Sequence, residues 1–193
     1  MSAHRFEDER FLRGKGRYVA DINRENQLYA KIVRSIHGHA KIINIDISDA
    51  LTVDGVCGIY VEDDLAKDGV GPLPCTTKFV AEQPLVVAER YALARDKVRY
   101  VGDPVALVLA ETEMAAQEAA ELVLVDYEAL PVLVSPVNSM QDGSPLIWSN
   151  APKNIAYRFK KGEKESTAAA FDGAAHVVEL DIENNRVMAL PIE

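Results

Sequence analysis

The chain has 193 residues, 48% of them hydrophobic, and 21 Lys and Arg against 30 Asp and Glu give a formal net charge of -9. That apolar content supports a globular core and excludes disorder, while the acidic balance argues against a nucleic-acid partner. No window approaches the roughly 18 consecutive apolar residues of a membrane helix, and MSAHRFEDERF is charged where a secretory leader is apolar, so a cytoplasmic protein without a membrane span is expected.

Residues 5 to 22, RFEDERFLRGKGRYVADI, alternate charges with Phe6, Phe11, Leu12 and Tyr18 and read as an ordered loop or arm. A phosphate-cradling loop needs glycine where Glu9 stands, which removes Lys15 as a Walker lysine. A dinucleotide fingerprint needs a third glycine where Val19 stands. Arg10, Arg13, Lys15 and Arg17 could suggest nucleic acid, but the net charge opposes it.

Gln27 to Ser35 and Lys41 to Ile47 have period two with β-branched residues and are predicted strands. Between them, His37 and His39 would share one side of an extended segment. No third metal ligand is nearby, and histidines that hold a turn or line an interface are the simpler reading. Ser48 is expected to cap a turn over Asp49, Ala50 and Leu51, with a strand following from Val56 to Val61. Glu62, Asp63 and Asp64 read as a solvated helix start, since an EF-hand would need further glycine and glutamate positions. Residues 66 to 83 read as a long surface loop. Cys57 and Cys75 lack metal-site spacing and are expected to be reduced thiols.

The clearest signal lies in Lys97 to Val134, which reads as strand, helix, strand. Pro104 to Ala110 is apolar on both faces, as a strand inside a domain would be. Thr112 is placed to cap a helix in which Ala115, Ala116, Ala119 and Ala120 form a small-residue face and Glu113, Gln117 and Glu121 a wet one. Leu122 to Tyr127 resumes as a strand that Pro131 punctuates. After Pro136 the composition is that of a connection, with Trp148 expected to pin it to a surface. Asn154 to Lys160 is a predicted weak strand, Thr167 to Phe171 a helical turn, and Ala175 to Met188 a long strand or hairpin arm. Glu111, Asp126 and Glu128 flank the central strands, where edge charges are normally solvated. The residues themselves thus give an α+β domain and the start of another, with no catalytic constellation.

Several motifs in order add a resemblance. FEDERFLRGKGRYVADI is similar to the N-terminal start of the molybdenum-binding large subunits of the xanthine dehydrogenase, aldehyde oxidase and aerobic carbon monoxide dehydrogenase family. RSIHGHAKI, from Arg34 to Ile42, resembles that family's Arg-Ser-Pro-His-Ala-His-Ala-Arg-Ile signature. VRYVGDPVALVLAET, from Val98 to Thr112, resembles its Val-Gly-Glu-Pro-Val-Ala segment, and VDYEALPVLV its Val-x-Tyr-Glu-x-Leu-Pro strand end. NRVMALPIE, at 185 to 193, resembles the start of its cofactor-binding region. Ile36, Gly38 and Asp103 depart from the usual proline, alanine and glutamate, and Ile36 relaxes a turn that proline would stiffen.

The resemblance implies an α/β hammerhead domain with its arm over residues 1 to 135, a linker over 136 to 153, and an incomplete start of a molybdopterin-binding domain over 154 to 193. It implies a piece of a molybdenum hydroxylase that oxidises an aldehyde, an N-heterocycle or carbon monoxide, inactive alone. The alternative is a non-catalytic assembly or protein-binding module, or a truncated remnant, that keeps the fold. No catalytic or metal-ligating residue is assigned, the cofactor-binding residues are unknown, and Glu193, at a family position, is read as structural. The segment alone is expected to bind no cofactor. The complete subunit is expected to hold molybdenum-molybdopterin, with 2Fe-2S clusters and FAD on partner subunits or domains. The expected partners are the rest of the large subunit and the iron-sulfur and flavin subunits, with a homodimer of the assembled complex as a further expectation.

Overall fold

The computed structural model describes residues 5–76, 85–185 and 187. In chain order it contains α1 (Asp8–Leu12), β1 (Tyr29–Arg34), β2 (Ala40–Asp46), β3 (Val56–Val61), α2 (Glu62–Lys67), β4 (Lys97–Val98), β5 (Pro104–Ala110), α3 (Glu113–Leu122), β6 (Leu124–Ala129), α4 (Pro136–Ser139) and α5 (Lys164–Asp172). Its contacts group Asn26–Lys160 into one unit and Met1–Glu25 with Lys161–Glu193 into another.

In Asn26–Lys160 two antiparallel three-stranded sheets form, ordered β1-β5-β3 and β4-β2-β6. The expected strand-helix-strand is present as β5, α3 and β6, but its two strands enter different sheets. β5 is the middle of the first, with Ile32 opposite Leu107 on one side and Ile59 opposite Val108 on the other. β6 is an edge of the second, with Ile45 opposite Val125.

This division explains why β5 is apolar on both faces. Ala106 and Val108 pack with Ala50, Ile59, Ala119 and Val123, while Val105, on the opposite face, packs with Ala40 and Val98 of the second sheet. Val98, Val105 and Val108 are fully buried, and each contributes on the order of 1.5–2 kcal/mol. Pro104 lacks an N–H and occupies the first position of the strand, where the loss is tolerated. Thr112 caps α3 as expected, its Oγ1 accepting the Ala115 N–H at 3.1 Å. Ala115, Ala116 and Ala119 are buried, the small face that lets helix and sheet approach.

Three expectations need correction. Ser48 does not cap the 3-10 turn Ala50–Thr52. Asp46 Oδ1 instead accepts the Ser48 N–H at 2.9 Å, a local turn that holds the Asp46 carboxyl below its usual value. Leu122 belongs to α3, and the following strand starts at Leu124. Neither 154–160 nor 175–185 lies in a ladder among the described residues, although both alternate. Period two encodes an extended amphipathic segment, whereas a strand also requires a neighbour to bond. The rest of the expected 175–188 arm, apart from Val187, lies outside the described residues, as do residues 77–84 of the expected loop.

Candidate functional site

The segments that carry the family resemblance meet one another. Ser35 N–H donates to the Asp103 carbonyl at 2.9 Å, Gly102 N–H donates to the Ser35 carbonyl at 2.7 Å, and Arg34 Nη1 donates to the Gly102 carbonyl at 2.9 Å. Gly102 has φ +89, which glycine adopts without steric cost. The VGDP turn and the RSIHGHA segment are thus bonded through their backbones. VDYEALP joins them, because Leu130 N–H donates to the His39 carbonyl at 2.9 Å and the His37 ring meets Tyr127 edge-on with centroids 4.8 Å apart.

The two histidines diverge into different roles. His39 is buried, and its Nδ1 lies 2.9 Å from the Pro131 carbonyl, so Nδ1 is the nitrogen that carries a proton. Its Nε2 is buried without a partner among the described residues. His37 packs on Tyr127, whose hydroxyl burial pushes up while Ser35 opposes the shift through a hydrogen bond. These are turn and packing roles. Among the described residues no three His, Cys, Asp or Glu side chains form a metal-holding group.

Beside this junction lies a cleft of about 410 Å³ whose walls include Arg90, Tyr91, Lys97, Arg99, Asp103 and Trp148. Two stacked arginines organise it. Arg95 lies 4.2 Å from the centre of the Tyr91 ring and makes a two-pronged pair with Glu62, both contacts at 2.8 Å. Glu62 is 4% exposed, so the expected solvated helix start is solvated only in part: its first carboxylate is buried and matched. That partner raises the Arg95 pKa. Arg99 lies 3.8 Å from the centre of Trp148, with Nε donating to the Ile147 carbonyl at 3.3 Å and Nη1 to the Lys97 carbonyl at 3.1 Å. The tryptophan thereby pins the connection, as its composition suggested. Burial lowers the Arg99 pKa, with Asp103 and Asp96 opposing.

The other singled-out residues are local. Asp64 Oδ2 accepts the Val61 N–H at 3.1 Å and Oδ1 meets Lys67 at 3.2 Å; the backbone bond first, then the lysine, hold its carboxyl below the usual range. Glu128 pairs with Lys41 at 2.9 Å across β2 and β6, both exposed. Glu111 N–H donates to the Gly55 carbonyl at 2.8 Å. In the arm Arg10 pairs with Glu7 and Arg13 with Glu9, which consumes two of the cations Arg10, Arg13, Lys15 and Arg17 locally. Cys57 and Cys75 are free and exposed. Glu193 lies outside the described residues. Arg95, Arg99 and Asn154 escaped the reading of the sequence. Asn154 accepts the Ile147 N–H at 2.9 Å and donates to the Ser139 and Pro145 carbonyls at 2.9 and 3.0 Å, closing the connection on itself. The available signal was two arginines four apart beside Tyr91 and Tyr100, with the only tryptophan downstream.

Comparison with known proteins places this architecture. The family described as aldehyde oxidase and xanthine dehydrogenase, a/b hammerhead domain, matches residues 13–131. The nicotine 6-hydroxylase large subunit of Paenarthrobacter nicotinovorans is 38% identical over 98% of this chain and 22% of its own length. The carbon monoxide dehydrogenase large chain of Afipia carboxidovorans is 35% identical over 98% of this chain and 24% of its own. A solved Cu,Mo-CO dehydrogenase in its carbon monoxide reduced state superposes with TM-score 0.71 and 34% identity over 90% of this chain and 22% of that one. The chain therefore spans about a quarter or less of the length of these relatives. It belongs to the aldehyde oxidase and xanthine dehydrogenase family, as a carrier of the α/β hammerhead domain.

Proposed function

We propose that this chain acts as the hammerhead-bearing N-terminal segment of a molybdenum hydroxylase large subunit, inactive alone and completed by the remaining large-subunit polypeptide. The observation that carries the reading is the family match over 13–131 combined with relatives more than four times as long. The three family segments bonded around Ser35, Gly102 and His39 support it, because they act as scaffold.

In this reading residues 1–135 are the hammerhead domain with its arm, 136–153 the linker, and 154–193 the start of the cofactor-binding part. The complete enzyme takes molybdenum-molybdopterin, which supplies oxidative hydroxylation or carbon monoxide oxidation, and passes electrons to iron-sulfur and flavin partners in the cytoplasm. Among the described residues no three His, Cys, Asp or Glu side chains form a metal-holding group, and no step of the reaction is assigned to them. The chain's own contribution is to present a rigid surface to the rest of the subunit.

Molybdenum content and substrate-dependent dye reduction, with an aldehyde or a purine, should be measured for the chain alone and for the chain coexpressed with the remaining large-subunit polypeptide and its partner subunits. Both signals are expected only on coexpression. Dye reduction by the chain alone would overturn the proposal.

A further inference from the structure

The cleft between Arg99 and Trp148 has a charge inventory that the scaffold role does not use. Its two carboxylates each accept a bond from a neutral donor and keep their charge, Glu89 from the Tyr91 hydroxyl at 3.0 Å and Asp103 Oδ2 from the backbone N–H of Arg99 at 2.9 Å, so the three cations without an ion pair exceed them by one. Arg95 is likewise satisfied by Glu62. The remaining cations, Arg90, Lys97 and Arg99, have no ion-pair partner among the described residues, although the chain as a whole is acidic.

Arg99 is the centre of this excess. A guanidinium carries five N–H donors in a planar fork, and two of them are spent on the Ile147 and Lys97 carbonyls. The stack on Trp148 fixes the plane of the fork without neutralising it. Burial strips part of its water, which disfavours the charge, and Asp103 and Asp96 offset this only in part. The stack on Trp148 and the bonds to the Ile147 and Lys97 carbonyls hold the side chain in place beforehand, so little conformational entropy opposes binding. The cleft, about 410 Å³, falls within the size range of small-molecule sites.

We propose that this cleft is a binding site for a small organic or inorganic oxyanion, a carboxylate or a phosphate, received by the free edge of Arg99 with Lys97 and Arg90 as supporting charges. The proposal is independent of the role of the chain in a larger subunit. Carboxylate and phosphate present the same paired oxygens to a guanidinium, and they differ in charge and bulk.

Trp148 is the only tryptophan in the sequence, so its fluorescence reports from the site itself. The full chain should be titrated with sodium benzoate and, separately, with inorganic pyrophosphate, with sodium chloride at matched ionic strength as control. A saturable change with at least one of the two is expected and none with chloride; the responding arm tells carboxylate from phosphate. Arg99→Gln should weaken the response by roughly tenfold or more, and Arg99→Lys should recover part of it, as expected when a charge-assisted fork is replaced by a point charge. Circular dichroism of each variant checks folding. If Arg99→Gln fails to fold, the double variant Lys97→Gln with Arg90→Gln replaces it, with a several-fold weaker response expected. The proposal is overturned if neither anion gives a saturable change, if chloride gives the same one, or if the folded variant titrates like the parent.

Discussion

Two alanine-rich helices of similar length meet opposite fates in this molecule. α3, EMAAQEAAEL, has a side-chain cap from Thr112 and buries Ala115, Ala116 and Ala119. α5, KESTAAAFD, has no side-chain cap bond and buries nothing, and Phe171 at its end is exposed. Alanine supplies helix propensity to both, about equally. What separates them is the sheet under α3, and that sheet is assembled from strands remote in sequence. Helix formation is local, whereas burial depends on a surface that only the tertiary fold provides.

This contrast can be broken by substitution. Ala119→Leu should overpack α3 against β5 and destabilise by about 1–3 kcal/mol in chemical denaturation; unchanged stability would show that the buried face has been misassigned. Thr112→Ala removes a cap that α5 lacks and should cost about 1 kcal/mol by the same measurement, with Thr112→Ser recovering most of it. A third helix, α2, tests the cap as an electrostatic device. Asp64 has a folded-state pKa below its ordinary 3.8, so its contribution is present above that value and lost as pH falls through the lowered one. Asp64→Ala should therefore cost about 0.5–1 kcal/mol near pH 7, reduced by solvent screening, and the difference from the parent should shrink toward zero at a pH well below 3.8. Thermal midpoints at the two pH values decide it. Smallest of all, Ala169→Leu in α5 should change stability by less than about 0.5 kcal/mol, since it opens no clash in a buried face.

Local signals explain what the sequence made legible. Alternation located β1 and β2, a run apolar on both faces located β5, a hydroxyl before an alanine run located the start of α3, and composition located the connection that Trp148 pins. Long-range pairing was hidden. The acidic triplet at 62–64 looks uniformly solvated until Arg95 is known to reach Glu62, and nothing within a few residues of Glu62 announces that partner. The same limit separates β5 from β6, which look like neighbours around one helix and enter different sheets because each finds its mates near residues 29–61. At 175–185 the pattern reads as a strand or hairpin arm, and the segment joins no ladder among the described residues. For the family segments the resemblance came first and the physical reason later. The VGDP turn needs glycine at Gly102 for its backbone angle, and Ser35 bonds the turn through its backbone N–H and carbonyl while its hydroxyl accepts the His37 N–H.

Every ladder in the two sheets joins a strand from residues 29–61 to one from 97–129: β1 with β5, β3 with β5, β2 with β4, and β2 with β6. Among the described residues none joins two neighbours in sequence. During synthesis the first three strands therefore emerge with their bonding edges open and wait for the second set before any sheet can close. Such non-local pairing slows folding and lengthens the exposure of apolar strand edges to other chains. The nascent polypeptide is thus most vulnerable to association between the emergence of Val61 and that of Ala129, an interval set by topology that substitutions in α3 or in the Arg99 cleft leave unchanged.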